Sequence, residues 1–227
     1  MKTLFITGTD TGVGKTHVSS LLLSAARAAG VRACGYKPVA SGCERIDGEL
    51  RNEDALALQA AAGTREPYAA INPYAFEPAI APHIAARQAG VTIDLGRLTQ
   101  GAQQLEARHD WLLVEGAGGW LVPLNEQASF ADWVAAHGWP VLLVVAMRLG
   151  CINHALLSAE AIRSRGLRLI GWVANELPPA QPQVDDNVRT LEQRLDAPLL
   201  ARLSCGAAGA MAGDGLLQGL RARLPAR

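Results

Sequence analysis

Gly8-Thr9-Asp10-Thr11-Gly12-Val13-Gly14-Lys15-Thr16 lies between an apolar run, Leu4 to Thr7, and a segment of helical periodicity, Lys15 to Ala29, that Gly30 ends. A buried strand, a glycine-rich loop closing on Gly-Lys-Thr and a helix bring backbone N–H groups and a helix N-terminus together on a phosphate chain. There the Lys15 ammonium neutralises β- and γ-phosphate oxygens, and the Thr16 hydroxyl ligates Mg2+. The loop departs from the usual spacing, because five residues rather than four separate Gly8 from Gly14 and Thr9 stands where the pattern has Gly. A tight turn carrying Gly-Lys-Thr by chance is the competing reading. The strand before the loop and the helix after it weigh against chance.

Outward from the loop, short apolar runs alternate with helical segments, the pattern of a largely parallel α/β sheet covered by helices on both faces. Strands are expected at Val31 to Tyr36, Trp111 to Val114, Val141 to Val145, Leu169 to Ala174 and Pro198 to Leu203. Helices are expected at Ala55 to Ala62, Asp94 to Arg108, Phe130 to Ala136, Ile152 to Arg165 and Val188 to Leu195. Residues 37 to 54 read as a polar loop, and the four prolines between 64 and 82 as a long irregular excursion. Gly206 to Gly215 carries no clear signal. With 227 residues and no repeat or low-complexity linker, the expectation is one domain over 1–227.

Twenty-one basic residues balance 21 acidic ones. A neutral chain lacks the basic stripe of a nucleic-acid or anionic-membrane binder, which leaves a local pocket for a small anion. Cys34, Cys43, Cys151 and Cys205 show no CxxC pair or zinc-ligand spacing, which points to a reducing cytoplasm. No apolar run approaches the ~18 to 20 residues of a spanning helix, so a soluble protein is expected. All basic residues except Lys2, Lys15 and Lys37 are Arg. Lys37 follows a predicted strand and precedes Pro38, which holds it extended toward the rim carrying the phosphate loop. A compact ammonium follows a moving phosphoryl group better than a planar guanidinium.

Glu115 ends the predicted Trp111 to Val114 strand, at the strand terminus where open parallel sheets bind ligands. The neighbouring glycines, Gly116, Gly118 and Gly119, permit close backbone approach. Asp54 fits an N-cap as well as a metal ligand. It becomes a persuasive ligand only together with Lys15, Thr16 and Glu115.

Taken with Tyr36-Lys37-Pro38-Val39-Ala40-Ser41-Gly42, Val114-Glu115-Gly116-Ala117-Gly118-Gly119-Trp120, Leu149-Gly150-Cys151-Ile152-Asn153-His154 and Gly171-Trp172-Val173-Ala174-Asn175, the phosphate loop closely resembles the dethiobiotin synthetase family, from about residue 3 to about residue 203. The resemblance implies a P-loop fold and an ATP- and Mg2+-dependent ring closure of 7,8-diaminopelargonic acid with CO2. It implies a carbamate, then a carbamic-phosphoric anhydride, then the cyclic urea with ADP and phosphate.

Carried over by residue, Lys15 and Lys37 are catalytic. Thr16, Asp54 and Glu115 hold the metal. Gly12, Val13, Gly14, His17, Gly116, Ala117, Gly118, Asn175, Glu176, Ser204, Cys205 and Gly206 complete the nucleotide site, with Asn175 reading adenine through its amide. Thr11, Lys37 and Ser41 face the carbamate and diamine. Gly150, Cys151 and Asn153 open a helix that receives the substrate carboxylate of the neighbouring subunit, which implies a homodimer with its sites at the interface.

Two departures stand out: Gly12 where relatives often carry Glu, and Leu203-Ser204-Cys205-Gly206 where they usually have Pro. Two other classes are weighed. An amidotransferase-type synthetase of corrinoid precursors needs a glutaminase domain for which this length has no room. A partitioning ATPase favours a further Lys near the loop start, where Thr9, Asp10 and Thr11 stand. Replacing Lys15 or Lys37 by Ala is expected to stop turnover and leave the fold intact.

Overall fold

The computed structural model of the chain describes residues 2–179, 181–204 and 210–223. Strand β1 (Thr3–Gly8) runs through the phosphate loop into helix α1 (Lys15–Ala28), and β2 (Ala33–Tyr36) follows. Residues 37 to 54 are more ordered than a polar loop. They form β3 (Val39–Ser41) and a hairpin of β4 (Glu44–Ile46) and β5 (Glu49–Arg51). Asp47 and Gly48 turn that hairpin with φ of 51° and 82°, the positive values a two-residue hairpin turn uses.

Helix α2 (Glu53–Ala62) is capped by Asn52, whose side chain accepts from the Ala55 N–H at 3.3 Å. Asp54 therefore sits inside the first turn and is not the cap. The proline-rich excursion contains α3 (Tyr68–Ile71) and β6 (Tyr74–Phe76), which pairs parallel with β3, and α4 (Pro82–Gln88) begins on Pro82.

Thereafter come α5 (Leu95–Arg108), β7 (Trp111–Gly119), α6 (Phe130–His137), β8 (Val141–Ala146), α7 (Cys151–Arg163), β9 (Leu169–Asn175), α8 (Val184–Arg194), β10 (Leu199–Leu203) and α9 (Ala210–Arg221). The central sheet has the order β10-β9-β8-β1-β7-β2 and is parallel throughout. Its strands are apolar on both faces, as a doubly covered sheet requires. Val141, Leu143 and Val145 of β8 face the core under α5, α6 and α7, while Leu142, Val144 and Ala146 face the core under α1 and α9.

Helix α9 arises where the sequence carried no signal. Leu216, Leu217 and Leu220 are buried there, and a Cβ on Gly213 would stand 2.9 Å from the Leu21 carbonyl of α1, so glycine lets the helices meet closely. Among the described residues no helix is long and apolar enough to cross a membrane.

A polar thread ties α5 to α6 beneath this sheet. Trp133 Nε1 donates to Thr99 Oγ1 at 3.0 Å, and Thr99 Oγ1 lies 3.0 Å from His137 Nε2, whose ring stacks on Trp139. Burial lowers the His137 pKa below 6.5 against the opposing pull of Glu106. The unfolded chain therefore takes up this proton first as pH falls. Stability from His137 is complete above pH 6.5 and drains away as pH drops through the lowered value. Between pH 7.5 and 5.5 the melting temperature of His137→Gln is expected to fall less than that of the wild type; equal falls by calorimetry would contradict this.

Candidate active site

The phosphate loop owes its shape to two left-handed glycines, Gly12 (φ 70°) and Gly14 (φ 91°). Gly14 is also the N-cap of α1, and a Cβ there would lie 2.0 Å from Asn175 Nδ2. That amide donates to the Val13 carbonyl at 2.8 Å and braces the loop from the end of β9. Gly14→Ala meets both the strained φ and the clash, and is expected to destabilise the protein by about 3 kcal/mol or more in urea unfolding. A loss within 1 kcal/mol of zero (about a fivefold change in the folding equilibrium) would contradict it.

Beside the loop, Lys15 Nζ donates to the Asp10 carbonyl at 2.9 Å, and Asp10 Oδ1 accepts from the Thr11 N–H at 2.7 Å. The Asp10 carboxylate also pairs with Arg148, from the loop that precedes α7. Burial first, and Lys37 second, pull the Lys15 pKa down to about 8 against the upward pull of Glu115, Asp54 and Asp10.

Beneath the loop lies a charged cluster. Lys37 is only 3% exposed; its Nζ donates to Glu115 Oε1 at 2.7 Å, to Asp54 Oδ2 at 2.8 Å and to the Gly116 carbonyl at 3.3 Å. Thr16 Oγ1 stands 2.6 Å from Asp54 Oδ1 and 2.9 Å from Glu115 Oε1. Burial opposes charge on Lys37, yet Glu115 and Asp54 outweigh it and raise its pKa. Burial likewise pushes the Asp54 pKa up, but Lys37, Thr16 and Lys15 reverse the sign and it ends below its usual value. Lys37 is thus a buried member of an ion cluster, and the expectation that Lys37→Ala leaves the fold intact is corrected: the substitution strands a fully buried Glu115.

Three oxygen-bearing side chains gather here, with the Thr16 hydroxyl within hydrogen-bond reach of both the Asp54 and the Glu115 carboxylate. Among the described residues no group of three or more His, Cys, Asp and Glu could cage a metal. The donor set fits a hard cation shared with nucleotide phosphates, as Mg2+ usually is, rather than one held by protein alone.

Ser19 was not legible as a site residue. Its Oγ donates to Glu115 Oε2 at 2.7 Å and fixes the far side of the carboxylate. The available signal was spacing, because Ser19 lies three residues after Thr16 on one helix face.

A cleft of about 650 Å³ opens over the cluster. Thr11, Gly12, Gly14, Lys15, Thr16, Lys37, Ser41, Asp54, Ala117 and Gly118 line it, so the structure brings ten of the expected residues together on one cleft. The Ser41 hydroxyl oxygen is buried there without a hydrogen-bond partner among the described residues. Ala79, Ile80, Pro82, Val122 and Pro123 add an apolar wall that the sequence did not announce.

Gly116 also packs closely, since a Cβ on it would come 2.9 Å from the Phe5 ring. Val13 and Asn175 lie buried behind the loop, His17 is exposed on α1, and Glu176 pairs with Arg202. Ser204 is exposed beyond β10, and Cys205 and Gly206 lie outside the described residues. Gly150, Cys151 and Asn153 stand at the start of α7 and do not line this cleft.

The profile of the AAA domain family matches residues 2–206. An ATP-dependent dethiobiotin synthetase BioD of Yersinia pestis bv. Antiqua (strain Angola) is 54% identical over 199 residues, 88% of this chain and 83% of that protein. The enzyme of that name from Pseudomonas paraeruginosa is 53% identical over 204 residues, covering 89% of this chain and 90% of its own. BioD 1 of Escherichia coli K12 is 50% identical over 202 residues, with 89% and 90% covered.

Among solved structures, MinD in the MinC:MinD cell division protein complex of Aquifex aeolicus superposes with TM-score 0.62 at 15% identity over 100% of this chain and 98% of that one. A ParA family ATPase of Chlorobium tepidum gives 0.54 at 14%, over 96% and 91%. These two likenesses show the P-loop fold alone. The identity to the synthetases, over 88% to 89% of this chain, goes further: the chain belongs to the ATP-dependent dethiobiotin synthetase family of AAA-domain proteins.

Proposed function

We propose that the protein is a ligase of biotin synthesis that forms dethiobiotin from 7,8-diaminopelargonic acid, CO2 and ATP. The observation that carries this reading is the buried Lys37 ammonium, held between Glu115 and Asp54 beside the phosphate loop. One amine of the substrate adds to CO2 and releases a proton, giving a carbamate. A carbamate oxygen attacks the γ-phosphorus, the bond to the β-phosphate oxygen breaks, and ADP leaves. The second amine then attacks the carbonyl carbon of the anhydride, loses its proton and expels inorganic phosphate as the ring closes.

Each step gathers negative charge near one point, and fixed cations stabilise that charge best in a dry pocket. Lys15 holds the phosphate chain together with the N–H groups of the loop. Lys37 faces the oxygen shared by carbamate and transferred phosphoryl. Thr16, Asp54 and Glu115 would hold Mg2+, which neutralises phosphate charge when bound. Thr11 and the unpartnered Ser41 hydroxyl orient the diamine, and the apolar wall from Ala79 to Pro82 suits its methylene chain. The neutral amines supply and lose the protons, so no histidine is needed.

Adenine rests near Asn175, Glu176 and Ser204. The substrate carboxylate meets Gly150, Cys151 and Asn153 of a second copy, at the N-terminus of helix α7, where the helix dipole favours an anion. Leu149, 93% exposed beside that helix end, and the exposed Leu121 and Leu157 are apolar surface that a homodimer would cover. The whole chain, 1–227, forms one such domain, and a cytoplasmic setting agrees with the free buried thiols of Cys34, Cys43 and Cys151. The test is phosphate release from ATP with each substrate omitted in turn. Release should require both diaminopelargonate and bicarbonate, and release independent of the diamine would overturn the proposal.

A further inference from the structure

Lys37 and the helix end that carries Asp54 are linked by hydrogen bonds through Tyr68 and Asn72, which lie outside the cleft. Lys37 falls between β2 and β3 and precedes Pro38, so its peptide groups have no strand partner in the central sheet. They are pinned instead by the 71–72 segment: the Lys37 N–H donates to the Ile71 carbonyl at 2.9 Å, and the Lys37 carbonyl accepts from Asn72 Nδ2 at 2.7 Å. Asn72 Nδ2 also donates to the Tyr74 carbonyl at 3.2 Å, and Asn72 Oδ1 accepts from Tyr68 Oη at 2.9 Å. Tyr68 Oη in turn accepts from the Asn52 N–H at 2.7 Å. Asn52 caps α2, the helix whose first turn carries Asp54.

An unbroken hydrogen-bond path thus joins the backbone of the catalytic lysine to the helix end that presents its carboxylate partner. Asn72 and Asn52 are both buried, so a break leaves polar groups without water to replace the lost partner. Neither Tyr68 nor Asn72 lines the cleft.

We propose that Tyr68 and Asn72 are positioning residues for the ring-closing reaction, fixing the Lys37 ammonium against Asp54 and Glu115 through the Asn72–Tyr68–Asn52 path. The inference rests on the function proposed above. Catalytic groups must be held to a fraction of an ångström, and a misplacement near 1 Å from a remote change can cost about a hundredfold in rate. Losing one link, with the rest of the pocket in place, is expected to cost about tenfold.

Tyr68→Phe is the discriminating variant. It keeps the ring, over which the Arg51 guanidinium lies at 4.3 Å, and removes only the hydroxyl that links Asn72 to Asn52. In the full-length protein, kcat for ring closure should fall about tenfold while KM for ATP, set by the phosphate loop, stays within about twofold. Arg51→Ala disturbs the same ring without touching the hydrogen-bond path, and its kcat should match the wild type.

An unchanged kcat in Tyr68→Phe would overturn the inference, as would an equal loss in Arg51→Ala. A fall in kcat accompanied by a matching rise in KM for ATP and a lowered melting temperature would also overturn it, because general loosening moves all three. Absence of ring closure in the wild type itself would overturn the functional reading first, and this inference with it.

Discussion

Lys37→Ala is expected to lower ring-closing turnover by about three orders of magnitude and to weaken the fold at the same time. The first effect follows from the charge Lys37 supplies where carbamate and phosphoryl oxygens meet; removing one preorganised donor from such a site typically costs ~10²- to 10³-fold. The second follows from burial. Glu115 is fully buried, and without Lys37 its Oε1 keeps, among the described residues, the Thr16 hydroxyl and its Oε2 the Ser19 hydroxyl. Breaking a buried pair by deleting one partner costs about 3 to 5 kcal/mol, because the surviving buried charge loses its direct ion-pair partner without gaining water. Steady-state turnover and urea unfolding on the same preparation check both. Near-wild-type ring closure would contradict the catalytic role, and unchanged unfolding would contradict the cluster as described.

Glu115→Gln should give a loss of ~10²- to 10³-fold in turnover for a different reason, with a smaller cost in stability. The side chain keeps its volume and can still accept from Lys37, so no cavity opens. What disappears is one negative charge of a cluster that balances Lys15 and Lys37 against Asp54 and Glu115. If Glu115 is a metal ligand, the Mg2+ concentration giving half-maximal turnover should rise along with the loss in kcat. Turnover at the wild-type level, with an unshifted Mg2+ requirement, would remove Glu115 from the metal site. Ser19→Ala is the mild comparison, since it deletes one hydrogen bond to the same carboxylate and leaves its charge in place.

The features visible in the sequence were those that local chemistry dictates. The strand, loop and helix around Gly8 to Thr16 need only apolar periodicity and glycines, and continuous apolar runs such as Val141 to Val145 mark strands covered on both faces. Lys37 and Glu115 were legible through motifs and Asp54 only in company with Lys15, Thr16 and Glu115, and the fold brings Lys37 Nζ within 3 Å of a carboxylate oxygen of each acid.

Burial was harder to read. Pro38 directs the Lys37 backbone, but nothing near it in sequence says that the α2 N-terminus and Glu115 close over its ammonium; Glu115 itself was expected just past the end of its strand and instead lies in the middle of β7, which runs on to Gly119. The hairpin at Glu44 to Arg51 had a local signal in Asp47-Gly48, yet its charged strands mask the alternation that would have revealed it. Helix α9 was hidden because its glycines argue against a helix in isolation, while its stability comes from leucines docking on α1 and from Gly213 letting the two backbones approach. Tyr68 and Asn72 were invisible for the same reason as Ser19: each acts through a partner far away in the chain.

The most direct measurement of the central chemistry is the fate of oxygen during turnover with 18O-labelled CO2. If a carbamate oxygen attacks the γ-phosphorus and stays with phosphate when the ring closes, each phosphate released carries one labelled oxygen and the urea carbonyl carries the other. Phosphate free of label, with dethiobiotin formed at the normal rate, would show that water or another nucleophile takes the phosphoryl group, and would contradict the role assigned to the cluster of Lys37, Asp54 and Glu115.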